Sequence, residues 1–323
     1  MLILEFKEGQ GLGNQLWNYA VLRSLANFKN FDFGIINFEA FKGKKFIEIE
    51  KGYKKDSSNL SFKEFKEKCF YDIDFKCFVY GYDSNILNIE DNTIIEGVFQ
   101  SEDYLLPNPE IIKEFINVRH ENFQTLINFD KTCILNIRGG EYKMHKDLIL
   151  PKTYWTNGIN NIKSLYSDLE FKIITDDEEY ASRLMPNYEI IKGDIANDFL
   201  HIFFAKYLIL SNSSFSYFPI NLGEKPKYVI APNNWSRFDN KFNRWISPAN
   251  FYSKWNWQNK KGEIIEKNKI KISVIKTYDY YNSYNVLSNA KAFKRFNFKD
   301  LVPNRLKKVL KNILHKIFPL VIG

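Results

Sequence analysis

The chain is short of cysteine, of histidine and of long apolar runs, and each shortage removes a class of protein. Cys69, Cys77 and Cys133 form an odd set with no metal-like spacing. That pattern fits reduced thiols in a cytoplasmic protein and gives no disulfide framework. His120, His145, His201 and His315 are scattered, and no two stand at the separation a zinc site uses. No stretch approaches the ~18 consecutive apolar residues of a membrane span. No signal peptide is expected, because Met1 leads straight into a short apolar strand. Charge of one sign is also missing from most of the chain. The net charge is +8, yet residues 291–323 carry nine Lys or Arg against one Asp, and the 290 residues before them hold 37 of each sign. A body without excess positive charge does not point to nucleic acid as a partner.

What is present is enough apolar sequence for two ordinary domains: 323 residues, 45% hydrophobic and 26% charged. The 29 phenylalanines accompany abundant Lys, Asn and Ile and carry little functional weight. Residues 2–6 (LILEF) read as a buried strand, followed by a glycine-rich turn and a helix over 14–28 with Tyr19, Leu22, Leu25 and Ala26 on one face. Residues 92–99 read as a strand and 108–116 as a helix with Pro in its first turn. A second alternating series predicts strands at 132–138, 171–175, 207–211 and 227–232, with helices at 153–166 and 197–207. Strands alternating with helices predict parallel, doubly wound sheets. Two such series predict two domains with a cleft between them, divided as 1–125, 126–250 and an extension over 251–323. Residues 40–90 and 251–290 show no readable period.

Four motifs can carry chemistry. In GQGLGNQ (9–15), glycines after a strand let the backbone approach a ligand, and the amides of the next helix start favour anions. The spacing G-x-G-x-G differs from the nicotinamide fingerprint G-x-G-x-x-G, and the Asn14-Gln15 amides suit sugar hydroxyls. In NIRGGEY (136–142), Arg138 at a strand end suits a phosphate oxyanion and charge growing on a leaving diphosphate. In ITDDEEY (174–180), Asp176 and Asp177 suit a ribose or base at the carboxyl end of a strand, or cap an acidic helix start. In SNSSFS (211–216), Ser213 and Ser214 suit phosphate, or cap a helix.

Taken in order, these segments resemble glycosyltransferase family 11, the bacterial α-1,2-fucosyltransferases. GQGLGNQLWNYA, GVFQSEDY (97–104), NIRGGEY, LPKTYW (150–155), ITDD, DFLHIFFAKYLILSNSSFSYF (198–218) and APNNW (231–235) follow the family's elements over most of residues 9–235. The resemblance implies a GT-B arrangement of two Rossmann-like domains and an inverting, metal-independent transfer from a GDP-sugar to a glycan hydroxyl, with no cofactor. It implies an acceptor-side domain over 1–125 and a GDP-sugar-binding domain over 126–250. Arg138 would grip the diphosphate, and Asn136 and Glu141 would flank it. Asp176 or Asp177 would face guanine or ribose, and Ser213, Ser214 and the Phe215 amide would cradle phosphate. Gly11 and Gly13 would allow close approach, and Asn14 would touch the donor sugar.

The chain also departs from the family's H-x-R-R-G-D-Y element: its His is Asn136, its second Arg is Gly139 and its Asp is Glu141. That leaves open a different GDP-sugar, such as a GDP-heptose or another deoxy-sugar, and a non-catalytic nucleotide- or glycan-binding relative. Arg183, Lys192 and Arg237 are candidates for a compensating cation. Glu8 is the preferred general base, with His145 and Asp147 as alternatives. Residues 302–318 read as a basic amphipathic helix that either lies on an anionic membrane or packs on the body. The membrane reading would place the protein on the inner face of the cell membrane, beside a surface polysaccharide or lipid-linked oligosaccharide acceptor.

Overall fold

A computed structural model describes residues 1–53, 62–72, 77–144, 148–233, 238–239, 244–245 and 248–283. The chain divides into two compact units, Met1–Tyr281 and Asn282–Gly323. The first holds two parallel sheets. His145, Asp147, Arg237 and the helix expected over 302–318 lie outside the described residues.

The first sheet contains β1 (Leu2–Glu5), β2 (Phe33–Ile36), β3 (Lys63–Lys66) and β4 (Thr93–Glu96) in the order β2-β1-β4-β3. All three pairings are parallel. Between β1 and β2 runs α1 (Leu12–Lys29). This helix is apolar nearly all round: Leu12, Leu16, Trp17, Tyr19, Ala20, Val21, Leu22 and Leu25 are all buried. Such a helix must be covered on every side. The first sheet takes one side. On another, the Trp17 ring stacks on Tyr217 at 4.3 Å and meets Phe218 edge-on at 5.4 Å. Both partners come from the second half of the chain. Asn30, in the left-handed region at φ 53°, ends the helix.

The second sheet contains β5 (Thr132–Ile137), β6 (Glu170–Thr175), β7 (Glu189–Ile190), β8 (Tyr207–Leu210), β9 (Tyr228–Pro232) and β10 (Asn256–Gln258). Its order is β7-β6-β5-β8-β9-β10, parallel throughout. Counted from β5, this is 3-2-1-4-5-6, the dinucleotide-fold order, and it reverses between β5 and β8. Alternate residues serve two separate cores. Ile134, Ile174, Leu208, Leu210 and Val229 join the core shared with the first half, whereas Cys133, Leu135, Ile137, Ile173, Ile209 and Ile230 face the other. A sheet covered on both faces needs such unbroken apolar strands. Among its helices are α2 (Lys152–Leu165), α3 (Glu178–Leu184), α4 (Ile195–Phe204) and α5 (Tyr217–Leu222).

Three details differ from the sequence reading. The helix expected at 108–116 is a 3-10 turn, Pro109–Ile111, followed by a single α turn, Ile112–Phe115. Asn108 caps the Glu110 amide at 3.0 Å, but the segment ends once Ile112 and Phe115 are buried. Residues 63–66, unread in sequence, are the edge strand β3. Residues 251–290, also unread, supply β10 and α6 (Lys267–Ser283). The latter returns to the first half, where Tyr278 donates to Asp103 at 2.7 Å and Tyr281 donates to the Lys68 carbonyl at 2.8 Å.

Candidate active site

Because both sheets are parallel, each presents its carboxyl ends on one edge, and the turns leaving those ends meet. The turn after β1 carries Gly11–Asn14, that after β5 carries Arg138–Tyr142, that after β6 carries Asp176, and that after β8 carries Ser213–Phe215. All of them line one cavity of about 640 Å³. It opens at the point where the second sheet reverses its strand order, the usual position for a ligand in open α/β sheets.

Gly13 brings the halves into contact. A Cβ there would lie 2.7 Å from the Phe215 amide nitrogen and 2.8 Å from the Ser214 carbonyl carbon, so only hydrogen fits. The first turn of α1 has no acidic residue and no side-chain cap. Its free amides therefore offer a positive pole beside the cavity. Asn14 is held from both halves: its Oδ1 accepts from Gln100 Nε2 at 2.5 Å and from Ser214 Oγ at 3.1 Å. That fixes the amide and leaves its two N–H donors for another acceptor.

Arg138 is about three-quarters buried. Its Nη2 stands 3.2 Å from Asp176 Oδ2, its guanidinium lies 5.5 Å from the Tyr142 ring centre, and its buried Nε has no partner. Asp176 Oδ1 accepts from the Gly139 amide at 2.9 Å. Gly140 makes this loop possible, since its φ is +25° and a Cβ would lie 2.5 Å from Asp176 Oδ2. The SNSSF turn holds a second orphan. The Asn212 side chain is buried, and neither its Nδ2 nor its Oδ1 has a partner. Buried groups of this kind cost about 1–3 kcal/mol each unless a partner arrives. Two such groups at one switch point leave hydrogen-bonding capacity for a polar ligand.

Nine of the twelve residues named from sequence line the cavity: Gly11, Gly13, Asn14, Arg138, Glu141, Asp176, Ser213, Ser214 and Phe215. The remaining three stand beside it. Glu8 is exposed on the turn just before Gly9, which does line the cavity. Asn136 is buried in β5, where its Oδ1 accepts from Ser216 Oγ at 3.1 Å and Ser211 Oγ at 3.4 Å. Asp177 caps α3 through the Tyr180 amide at 3.0 Å and pairs with Lys143. Lys143 foremost holds its carboxyl below the usual range. Ser213 also caps, accepting from the Phe215 amide at 3.3 Å. Arg183 and Lys192 pair with Glu179 and Glu178 respectively.

Of the lining residues that the sequence reading did not name, Asp198 and Lys42 matter most. Asp198, in the first turn of α4, has a carboxyl that burial pushes up to about 7, with Arg138 opposing and Asp176 and Asp194 adding to the rise. In sequence it reads as an ordinary acidic residue in the first turn of a helix, so nothing there marked it as part of a site. Lys42 comes from the first half, within the segment that showed no period. Among the described residues no cluster of three or more His, Cys, Asp or Glu is arranged to hold a metal.

No family model and no curated protein sequence matches the chain. Solved structures do. The fucosyltransferase NodZ from Bradyrhizobium is similar at 15% identity and TM-score 0.41, over 69% of this chain and 93% of that one. A mutant of Arabidopsis thaliana FUT1 in complex with GDP matches at 10% identity and TM-score 0.43, over 72% and 71%. The E. coli heptosyltransferase WaaC with ADP matches at 11% identity and TM-score 0.39, over 86% and 100%.

Proposed function

We propose that the chain is a glycosyltransferase that binds a GDP-sugar in this cavity and passes the sugar to a glycan hydroxyl with inversion. One observation carries the reading: Arg138, Gly13–Asn14 and Ser213–Phe215, drawn from three strand ends in two sheets, line the same space at a dinucleotide-type switch point. In the sequence these residues belong to the elements that resemble family 11, and we assign the chain to that neighbourhood. Fucose is the preferred donor sugar, and a heptose or other deoxy-sugar is the alternative. Residues 1–125 would face the acceptor, and 126–250 with β10 would hold the nucleotide.

In this reading the acceptor oxygen attacks the anomeric carbon as the bond from that carbon to the diphosphate oxygen breaks. The bond's electron pair stays on GDP, and the acceptor's proton passes to a base, for which Glu8 remains our candidate. Arg138 meets the charge that grows on the diphosphate. The α1 amides and the Ser213–Phe215 turn add fixed dipoles that need no rearrangement. Asn14, with its oxygen already engaged, donates to the sugar. Asp198, as a carboxylate, accepts the paired N1–H and N2–H donors of guanine, an arrangement adenine cannot reproduce. Lipid-linked or surface glycans on the inner face of the membrane are the acceptors that the basic segment 302–318 would favour.

The test is GDP release from a panel of GDP-sugars, with and without EDTA, for the wild type and Arg138→Ala. We expect one GDP-sugar to turn over in EDTA and Arg138→Ala to lose at least about 100-fold in kcat. Binding of GDP without turnover of any sugar would favour a non-catalytic relative. Turnover abolished by EDTA would contradict metal independence.

A further inference from the structure

The cavity that this reading gives to a diphosphate is poor in positive charge. Five carboxyl side chains line it, those of Glu141, Asp176, Glu178, Asp194 and Asp198, against two cations, Arg138 and Lys42. Arg138 is already shared with Asp176. Lys42 has no ion-pair partner among the described residues. The segment that carries it is fixed at both ends. Phe41 is buried and stacks on Phe6 at 5.5 Å, and Phe46 packs on Phe199 of α4 at 5.3 Å, across the two halves. Between them, the buried Gln15 side chain accepts from the Lys42 amide at 2.9 Å and donates to the Ala40 carbonyl at 2.8 Å. Gln15 follows Asn14 directly, so one stretch of α1 sets both Asn14 and the backbone of Lys42. A separate sign that this segment overhangs the second half is the Asp194 carboxyl. The Asn197 amide foremost holds it below the usual range, and the charge of Lys45 adds to that.

We propose that Lys42 is the second diphosphate-binding cation, supplied from the first half to face Arg138 of the second. The inference rests on the GDP-sugar reading above. A lysine here takes up the charge that leaves with the nucleotide, and it ties donor binding to both halves at once. It also makes good the glycine at position 139, which no side chain can replace cheaply because a Cβ there would lie 2.7 Å from Asp177 Cβ.

The experiment titrates GDP and guanosine into the wild type, Lys42→Met, Lys42→Arg and Lys44→Met. Lys44 lies outside the cavity lining and pairs with Glu39 at 3.6 Å, which makes it the control. Lys42 is exposed, so its variants should keep the wild-type melting temperature. We expect Lys42→Met to weaken GDP by about tenfold or more, as loss of one charge-assisted contact implies. Guanosine should stay within about twofold, Lys42→Arg should hold most of the GDP affinity, and Lys44→Met should match wild type. GDP affinity unchanged in Lys42→Met, or an equal loss for guanosine, would overturn the inference while leaving the donor reading intact. A wild type that binds neither GDP nor guanosine would remove the donor reading itself, and this inference with it.

Discussion

At the scale of single residues, the site is a set of polar groups held in place before any ligand arrives. Asn14 is locked by Gln100 and Ser214, Arg138 by Asp176, and the Gly139 amide by the same carboxylate. Asp198 is the member whose state depends on pH. Its carboxyl titrates near 7 in the fold and near 3.8 in an unfolded chain. Between those values the folded protein keeps a proton that the unfolded chain has released. Stability therefore falls as pH rises through the window, and the loss is complete above about 7. Asp198→Asn should stabilise the fold at pH 8 by an amount on the order of 4 kcal/mol, read as a higher melting temperature, and should give no gain near pH 4. Calorimetric scans of both proteins at the two pH values check this. The same variant should bind GDP more weakly, because an amide cannot accept from both guanine donors. A gain of equal size at both pH values would mean that the charge is not what costs stability. These residues were legible in sequence only where they follow a strand end. Arg138, Asp176 and Ser213 announce themselves by position. Asp198 and Lys42 sit inside a helix and an aperiodic segment, and only the fold turns them toward the others.

At the scale of elements, the contact that matters is α1 against the turn 214–216. The Trp17–Tyr217 stack and the Gly13–Phe215 approach lie on the same helix and fix its distance from the second half. Gly13→Ala puts a methyl group 2.7 Å from a backbone nitrogen, where no flexible side chain can give way. We expect a cost of about 1–3 kcal/mol in stability and a loss of GDP affinity, since α1 must shift relative to Ser214. Gly11→Ala, whose Cβ would meet nothing within 4 Å, should fold normally. Equal stability of the two variants in denaturant titration would contradict the close approach. Elements with a strong period were readable: α1, α2, α4 and the strands β5, β6, β8 and β9 all lie where apolar spacing put them. The helix at 108–116 failed because Pro109 and the Asn108 cap are start signals without enough chain behind them to make a full helix. The edge strand β3, with sequence KEFK, and the short β10 carry no alternation of their own. Their place is set by the neighbours they pair with.

At the scale of the whole molecule, two parallel sheets supply one cavity, and positive charge collects far from it in sequence, in residues 291–323. No described helix is long and apolar enough to cross a membrane. We expect the full chain to bind vesicles containing anionic phosphatidylglycerol and to release them as salt rises, with each Lys or Arg near the surface worth about 1 kcal/mol. Flotation at low and high salt reads this out. No binding at low salt would remove the membrane reading of 302–318. The presence of two parallel sheets was legible because the strand–helix series restarts near residue 126. The return of α6 to the first half was not, since its contacts with Asp103 and Lys68 join residues about 175 and 213 positions apart.

The central claim is that the Arg138 guanidinium faces a nucleotide diphosphate in a cavity built by both halves. A crystal structure of the protein with GDP tests it most directly. The account predicts diphosphate oxygens within hydrogen-bond reach of Arg138, beside the Gly11–Asn14 turn on one side and Ser213–Phe215 on the other. A nucleotide bound elsewhere, or one in the cavity with its diphosphate turned away from Arg138, would contradict it.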